Sequence, residues 1–386
     1  MAVAAPPKPG APPQANGQKN APPPQAFRVG VYETDTPDID VTLAATAAAQ
    51  KLGTFKLSPN GWLSGVWCLF QGSGFTAATY AGDQPWAGIQ KITFRDVGNR
   101  EIIGPLTGYE WFVINKYGGY YPGNPDPRNP GAGFTASATG FTLLLYVPLE
   151  IVYRDTLGEI ENKSASASYT LEIYVDSQAN TVTGSSGTLT WRMRANLEGY
   201  TEPESADSHG RPFAQNPPAP GTVQYWASEI YVASAGTGKY NQQNGIGYPI
   251  RNIAYICYDN ANGTRATGWS FASESGDWPD PSTLAFGKVQ LFQRPAIMWQ
   301  NLMSKWLGLT AAGPDATLAP ENGVFLQAFN RDFDTIAGNE LRNGYLVTKA
   351  GNVLQLSGTL AAACNIHVVT NYAVPPGNDA ARLRSR

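Results

Sequence analysis

The chain has 386 residues, a formal net charge of −3, and 15% charged side chains against the roughly 25% usual for soluble domains. That length exceeds one ordinary core and accommodates two domains plus tails. The acidic balance excludes a general nucleic-acid surface, and the basic ending at 381–386 is too short to reverse it.

With 41 glycines, 30 prolines and 11% aromatic residues, the composition favours strands and turns over helical bundles. Cys68, Cys257 and Cys364 lie far apart in or beside apolar strand-like runs, so buried free thiols are expected and not a disulfide framework. No run of 18 apolar residues occurs, so no spanning helix is expected. The start lacks the charged opening, apolar centre and cleavage pattern of a secretion signal, so synthesis in a cytoplasm is expected.

In chain order, residues 1–27 come first and hold eight prolines with almost no large apolar side chain. Such a segment cannot build a core and reads as an extended polyproline-type arm. From Arg28 strand patterns recur. Residues 54–70 read as a hairpin turning at Asn60-Gly61, residues 91–102 as one turning near Gly98-Asn99, and 109–116 as a further strand. Residues 116–136 are too rich in Gly, Pro, Asn and Asp for anything but a long loop. A continuous apolar run, Leu143–Val147, ends at Pro148. One or two helical turns carrying Tyr153, Leu157 and Ile160 follow, and then a strand alternating Tyr169, Leu171, Ile173 and Val175. Residues 188–197 alternate cleanly, with Leu189, Trp191, Met193 and Ala195 on one face.

Residues 201–221 turn polar and proline-rich and mark the best boundary. Strands resume at 222–232 and 251–271, the second turning at Asn262-Gly263, and then at 288–293, 322–329, 344–360 and 365–374; residues 375–386 form a tail. After Pro295 a helix places Met298, Leu302 and Trp306 on one stripe, with Gly308 as its stop. Strand, Pro, helix, strand therefore occurs at Pro148 and again at Pro295. Two copies of one β-rich fold follow, at 28–200 and 222–374. The expected fold class is all-β: two eight-stranded antiparallel jelly rolls in tandem, with the two helices in equivalent loops.

The chemistry-bearing residues are sparse. His209 lies in the polar linker and His367 in a strand, without partners at ligand spacing, so neither reads as a metal or catalytic site. Residues 233–240 carry a glycine turn, not a phosphate loop. Glu150, Asp155, Glu159 and Glu161 cluster near the first helix; a solvated helix face explains them, with sugar binding or glycoside hydrolysis as the alternative. The chain is expected to be no enzyme and to need no cofactor or metal.

The stretch 140–178, with its strand ending in Val147-Pro148-Leu149, its short helix and its following strand, resembles the major capsid proteins of tectivirus-type phages, the double jelly-roll lineage. There the helix lies in the loop joining strands F and G. Weaker likeness extends over 84–116, the Pro295–Trp306 helix and the strand-rich end to Tyr372. The resemblance implies a homotrimer of six upright rolls that tiles an icosahedral virion shell around an internal membrane and DNA, made in a host bacterial cytoplasm. Its implied partners are further trimers, vertex and minor capsid proteins and the lipid surface, with no sequence-specific nucleic acid. Family arms often have helical character; this one has no amphipathic stripe, so strapping neighbouring tiles is expected rather than insertion. Lys8, Lys19, Pro22, Pro23 and Pro24 are the candidate assembly or membrane-surface contacts, Lys8 and Lys19 toward lipid headgroups.

Overall fold

A computed structural model describes residues 31–32, 38–59, 61–80, 82–117, 134–151, 158–201, 222–259, 278–307, 323–329 and 344–374. The arm with Lys8, Lys19 and Pro22–Pro24, the polar linker with His209, the Asn262-Gly263 turn and the tail lie outside these residues.

The first half contains β1 (Val31–Tyr32), β2 (Ile39–Ala44), β3 (Gln50–Lys56), β4 (Gly61–Thr76), β5 (Ile89–Arg95), β6 (Glu101–Leu106), α1 (Gly108–Tyr117), β7 (Phe134–Ser137), β8 (Gly140–Pro148), β9 (Ile160–Asn162), β10 (Thr170–Val175), α2 (Gln178–Thr181) and β11 (Ser186–Tyr200). The second contains β12 (Val223–Ala233), β13 (Gly236–Gln242), β14 (Pro249–Asp259), β15 (Ser282–Phe286), β16 (Val289–Arg294), α3 (Ala296–Leu307), β17 (Val324–Ala328), β18 (Leu346–Val347), β19 (Leu354–Leu360) and β20 (Cys364–Val374).

The principal strands of each half can be lettered B to I. In the first half one sheet runs β2, β11, β4, β8 and its partner β3, β10, β5, β6, giving the orders B-I-D-G and C-H-E-F. In the second half β12, β20, β14, β17 and β13, β19, β15, β16 repeat those orders. This is the two-sheet plan of a jelly roll, made twice. Alternation explains the sandwich. Met193, Ala195 and Leu197 of β11 pair with Phe70, Cys68 and Val66 of β4, and all six are buried. Leu171 and Ile173 of β10 pair with Phe94 and Ile92 of β5, equally buried, from the opposite sheet.

The two rolls are not separate sheets. Strand β6 of the first lies parallel to β12 of the second, with Ile103 opposite Trp226, so one nine-stranded sheet runs through both halves. One face of that sheet is core in the first roll and outer surface in the second; the other face does the reverse. Duplication and a shared sheet coexist because only edge strands F and B are joined.

Four expectations need correction. Residues 109–116 are not a strand but α1. Thr107 caps it, and the run Tyr109, Trp111, Phe112, Val113, Ile114 is buried on every side, so no period-2 alternation existed to distinguish strand from helix. The helix of the first F–G loop is thus α1, and Pro148 ends strand G. Of the helical turns expected after Pro148, Tyr153 and Leu157 lie outside the described residues, and Ile160 is not helical but opens strand β9, paired with Leu63 of β4; the counterpart of α3 is α1. Strands β3 and β4 are not a hairpin: they belong to opposite sheets, and the chain crosses between layers near residue 60. In α3 Met298 and Leu302, the described part of the expected stripe, are not the core face. Ala296, Trp299 and Met303 are buried and Met298 is 50% exposed. The turn near Asn99 is borne out: Asn99 has φ 64°, and Asp96 Oδ1 accepts the Gly98 and Arg100 amides at 2.8 Å each.

Candidate functional site: the junction between the rolls

Helix α1 opens with a reciprocal capping box. The Glu110 amide donates to Thr107 Oγ1 at 3.2 Å, and the Thr107 amide donates to Glu110 Oε2 at 2.8 Å. One turn on, Trp111 and Asn115 fasten the helix to its own roll. The Trp111 indole and the Asn115 amide both donate to the Tyr146 carbonyl at 2.7 Å, and the Tyr146 amide donates to Asn115 Oδ1 at 2.6 Å. With Trp111 turned inward, Glu110 points the other way, toward the second roll.

There its remaining oxygen is shared. Ser228 Oγ of β12 donates to Glu110 Oε1 at 2.8 Å, and His367 Nδ1 of β20 lies 2.9 Å from the same atom. Glu110 is therefore committed at both oxygens, to its helix start and to two strands of the other roll, while only 1% exposed. A buried carboxylate requires such partners. The His367 ring lies 4.7 Å from that of Tyr258 in β14. The Tyr258 hydroxyl donates to Asp83 Oδ2 of the first roll at 2.9 Å; burial first, and then the Asp83 charge, holds this phenol protonated well above its ordinary range. Lower down, Gln224 Nε2 donates to the Glu150 carbonyl at 3.1 Å, and Gln224 Oε1 accepts from Trp226 and Asn371 at 3.1 Å each. A cleft of about 510 Å³ opens beside this network, lined by Asp83, Gln84, Asp176, Asn180, Tyr258 and His367 among others.

Chemically this is a clasp. The histidine–carboxylate pair joins two halves of one chain, and Glu110 spends its acceptor capacity on structural donors. Among the described residues no group of three or more His, Cys, Asp and Glu side chains could hold a metal ion. The clustered acids do not form the solvated face expected: Glu150 and Glu159 are buried, Glu159 accepting from Ser64 Oγ at 3.3 Å, because the chain after strand G folds back under β4. Only Glu161, beside Lys163 at 3.4 Å, is exposed, and Asp155 lies outside the described residues. The three thiols are buried and form no disulfide, as composition suggested. Sequence reasoning passed over Glu110, although Thr107-x-x-Glu110 spells a capping box.

No family model matches the chain, and no curated relative does. Solved structures do. The crystal structure of the STIV major capsid protein superposes with a TM-score of 0.57 at 12% identity, covering 90% of this chain and 97% of that one. The chain also matches the atomic structure of Sulfolobus turreted icosahedral virus with a TM-score of 0.57 at 12% identity, over 92% of this chain and 95% of that one. At such identity the likeness is one of fold: this chain has a double jelly roll.

Proposed function

We propose that this chain is a major capsid protein whose homotrimer forms a pseudo-hexagonal tile of an icosahedral shell. The carrying observation is the joined pair of rolls. Two complete B-to-I sandwiches are locked at a fixed attitude by β6·β12 and by Glu110, which suits a rigid tile and has no use in a monomeric binding module. The fold likeness to a capsid protein over nearly the whole of both chains supports the same reading. The finer picture is a bacteriophage shell around an internal membrane and DNA. In it residues 1–27 strap neighbouring tiles, with Lys8, Lys19 and Pro22–Pro24 in contact with adjacent subunits or lipid headgroups. A polyproline segment loses little entropy on docking, which suits a strap.

Mass photometry of the purified chain tests the first part. A particle three times the 41.4 kDa chain mass is expected, and a clean monomer at micromolar concentration would end the reading. A melting temperature raised by sugars would instead favour the carbohydrate alternative. Deleting residues 2–24 tests the strap: trimers should persist with unchanged melting while closed shells form less well. Normal shell assembly would make the arm a passenger.

A further inference from the structure

The face of the second roll that carries the junction continues past the first roll. Directly opposed residues of neighbouring antiparallel strands share one face of their sheet. On β12 and β20 the opposed pairs on this face are Trp226 with Asn371, Ser228 with Val369, Ile230 with His367 and Val232 with Asn365. The first two pairs lie under the first roll: Trp226 is buried opposite Ile103, and Ser228 reaches Glu110. Then β12 emerges. Ile230 is 57% exposed, and Val232, at 77%, is the most exposed large apolar side chain among the described residues.

Their cross-strand partners His367 and Asn365 line the cleft of about 510 Å³, so the apolar pair and the cleft form one continuous surface. The cleft is preformed, because the segments joining strands D to E and H to I of the first roll brace each other. Gln84 Nε2 donates to the Ala179 and Asn180 carbonyls at 3.3 Å each, Thr183 Oγ1 donates to Gln84 Oε1 at 2.9 Å, and the Asp176 amide donates to the Gly88 carbonyl at 2.8 Å. Asp83 and Asp176 stand in the lining, and no Lys or Arg does among the described residues. Lys91, next to the lining Gln90, instead holds its ammonium 5.5 Å from the Tyr174 ring centre. Asp176 Oδ1 accepts the Ser177 amide at 2.6 Å, and its second oxygen bonds to no described residue. His367 turns Nδ1 to Glu110, so in the neutral ring Nε2 offers a lone pair, again bonded to no described residue. The wall thus presents acceptors and negative charge and calls for a charged N–H donor. The surface lies at one end of both sandwiches, where strands B, D and H finish and C, E and I begin. Lateral packing of rolls covers sheet faces and edges and leaves this end open.

We propose that this surface docks a segment of another protein in which a basic residue stands beside apolar ones. The ammonium or guanidinium enters the cleft and donates to Asp176 and His367 Nε2, while the apolar side chains cover Ile230 and Val232. Charge complementarity selects the basic residue, since the cleft brings carboxylates and no cation of its own. The exposed pair on β12 selects a protein segment over a small cation, which has nothing to lay on two β-branched side chains. The surface is complete within one chain, so the inference does not depend on the tile reading.

The probe is a fluorescein-labelled hexapeptide of alternating arginine and isoleucine, read by anisotropy on the full-length chain. It should bind, and Asp176→Asn and Val232→Ser should each weaken binding about tenfold in dissociation constant. Asp176→Asn keeps an acceptor for the Ser177 amide, and circular dichroism checks the fold of each variant. Val347→Ser is the control: Val347 is 72% exposed but opposes Pro249, at the far end of β14 from Tyr258, and its loss should leave binding unchanged. Peptides with glutamate for arginine, or serine for isoleucine, should bind about tenfold less well or worse. Absence of binding by the first peptide, or equal binding to the parent and both variants, would overturn the inference. Full competition by spermidine together with an unaffected Val232→Ser would overturn it in favour of a small-cation site. Loss of the oligomer in Val232→Ser would overturn it in favour of a contact between copies. Mass photometry on the same samples separates the two readings: a trimer that ignores the peptide ends this one alone, and a monomer that binds it ends the tile alone.

Discussion

Trp111 and Trp299 are the same residue made twice. Each is the fourth residue of an F–G helix, its backbone amide closes the first turn onto Thr107 or Pro295, and its indole donates to the returning strand G. Four residues on, Asn115 and Met303 accept the amide of the strand residue whose carbonyl the indole holds, Tyr146 at 2.6 Å and Leu326 at 3.2 Å. The duplicated roll thus keeps one device for pinning a helix to its sandwich, with an amide acceptor in one copy and a thioether in the other.

Breaking that device should cost stability in a graded way. Asn115→Leu leaves the buried Tyr146 amide without an acceptor, which costs about 1–3 kcal/mol. Asn115→Met copies the second roll, retains a weak sulfur acceptor and should cost less. Urea denaturation of the two variants gives the order; equal losses would show that the amide bond contributes nothing particular.

Glu110 couples the rolls, so its loss should change cooperativity as well as stability. Glu110→Ala removes the cap of α1 and the acceptor of Ser228 and His367, for a loss of about 2–4 kcal/mol. Glu110→Gln keeps the capping box and should lose less. Scanning calorimetry of Glu110→Ala should resolve two unfolding transitions, one per roll, where the parent shows one. A single unshifted transition would refute the clasp.

A pH dependence follows from the outer face of β3, β10, β5 and β6. Lys51 at 2.7 Å and Arg95 at 2.6 Å hold the Glu172 carboxyl down to about 2, from an ordinary 4.5. A depressed carboxylate contributes stability that is complete above the unfolded value and lost as pH falls through the folded one. The parent should therefore lose stability between about pH 4.5 and 2, and Glu172→Gln should flatten that part of the curve. Chemical denaturation across this range checks it, and an identical acid limb in the variant would assign the loss to other groups.

Strand β6 contains a glycine at a position that strains any side chain placed there. Gly104 has φ 95°, and an added Cβ would stand 2.4 Å from the Ile92 carbonyl oxygen. Gly104→Ala must displace β5 or β6 beside the β12 junction and should cost more than about 2 kcal/mol. A thermal melt within a degree of the parent would show that the hairpin absorbs the clash.

Much was legible in the chain itself. Leu189, Trp191, Met193 and Ala195 alternate because their strand has one wet and one dry face, and all four are buried. The turn at Asn99, the buried thiols, the strand at 288–293 and the helix after Pro295 follow from short-range pattern and composition; the doubling of the plan was expected too, but from matching Pro148 with Pro295, where the fold matches Thr107 with Pro295. What the tertiary structure decided is which surfaces meet. The run Tyr109–Ile114 is helical because one roll lies under it and the other over it, and a segment buried on all sides carries no period to read. Strands β3 and β4 are adjacent in sequence yet lie in opposite sheets, since a sandwich is closed by partners far along the chain. Met298 shows the same limit. Its apolar stripe was visible, but only the packing of Trp299 into the roll reveals that Met298 faces outward. Local pattern records that a side chain prefers burial; the fold alone determines what buries it.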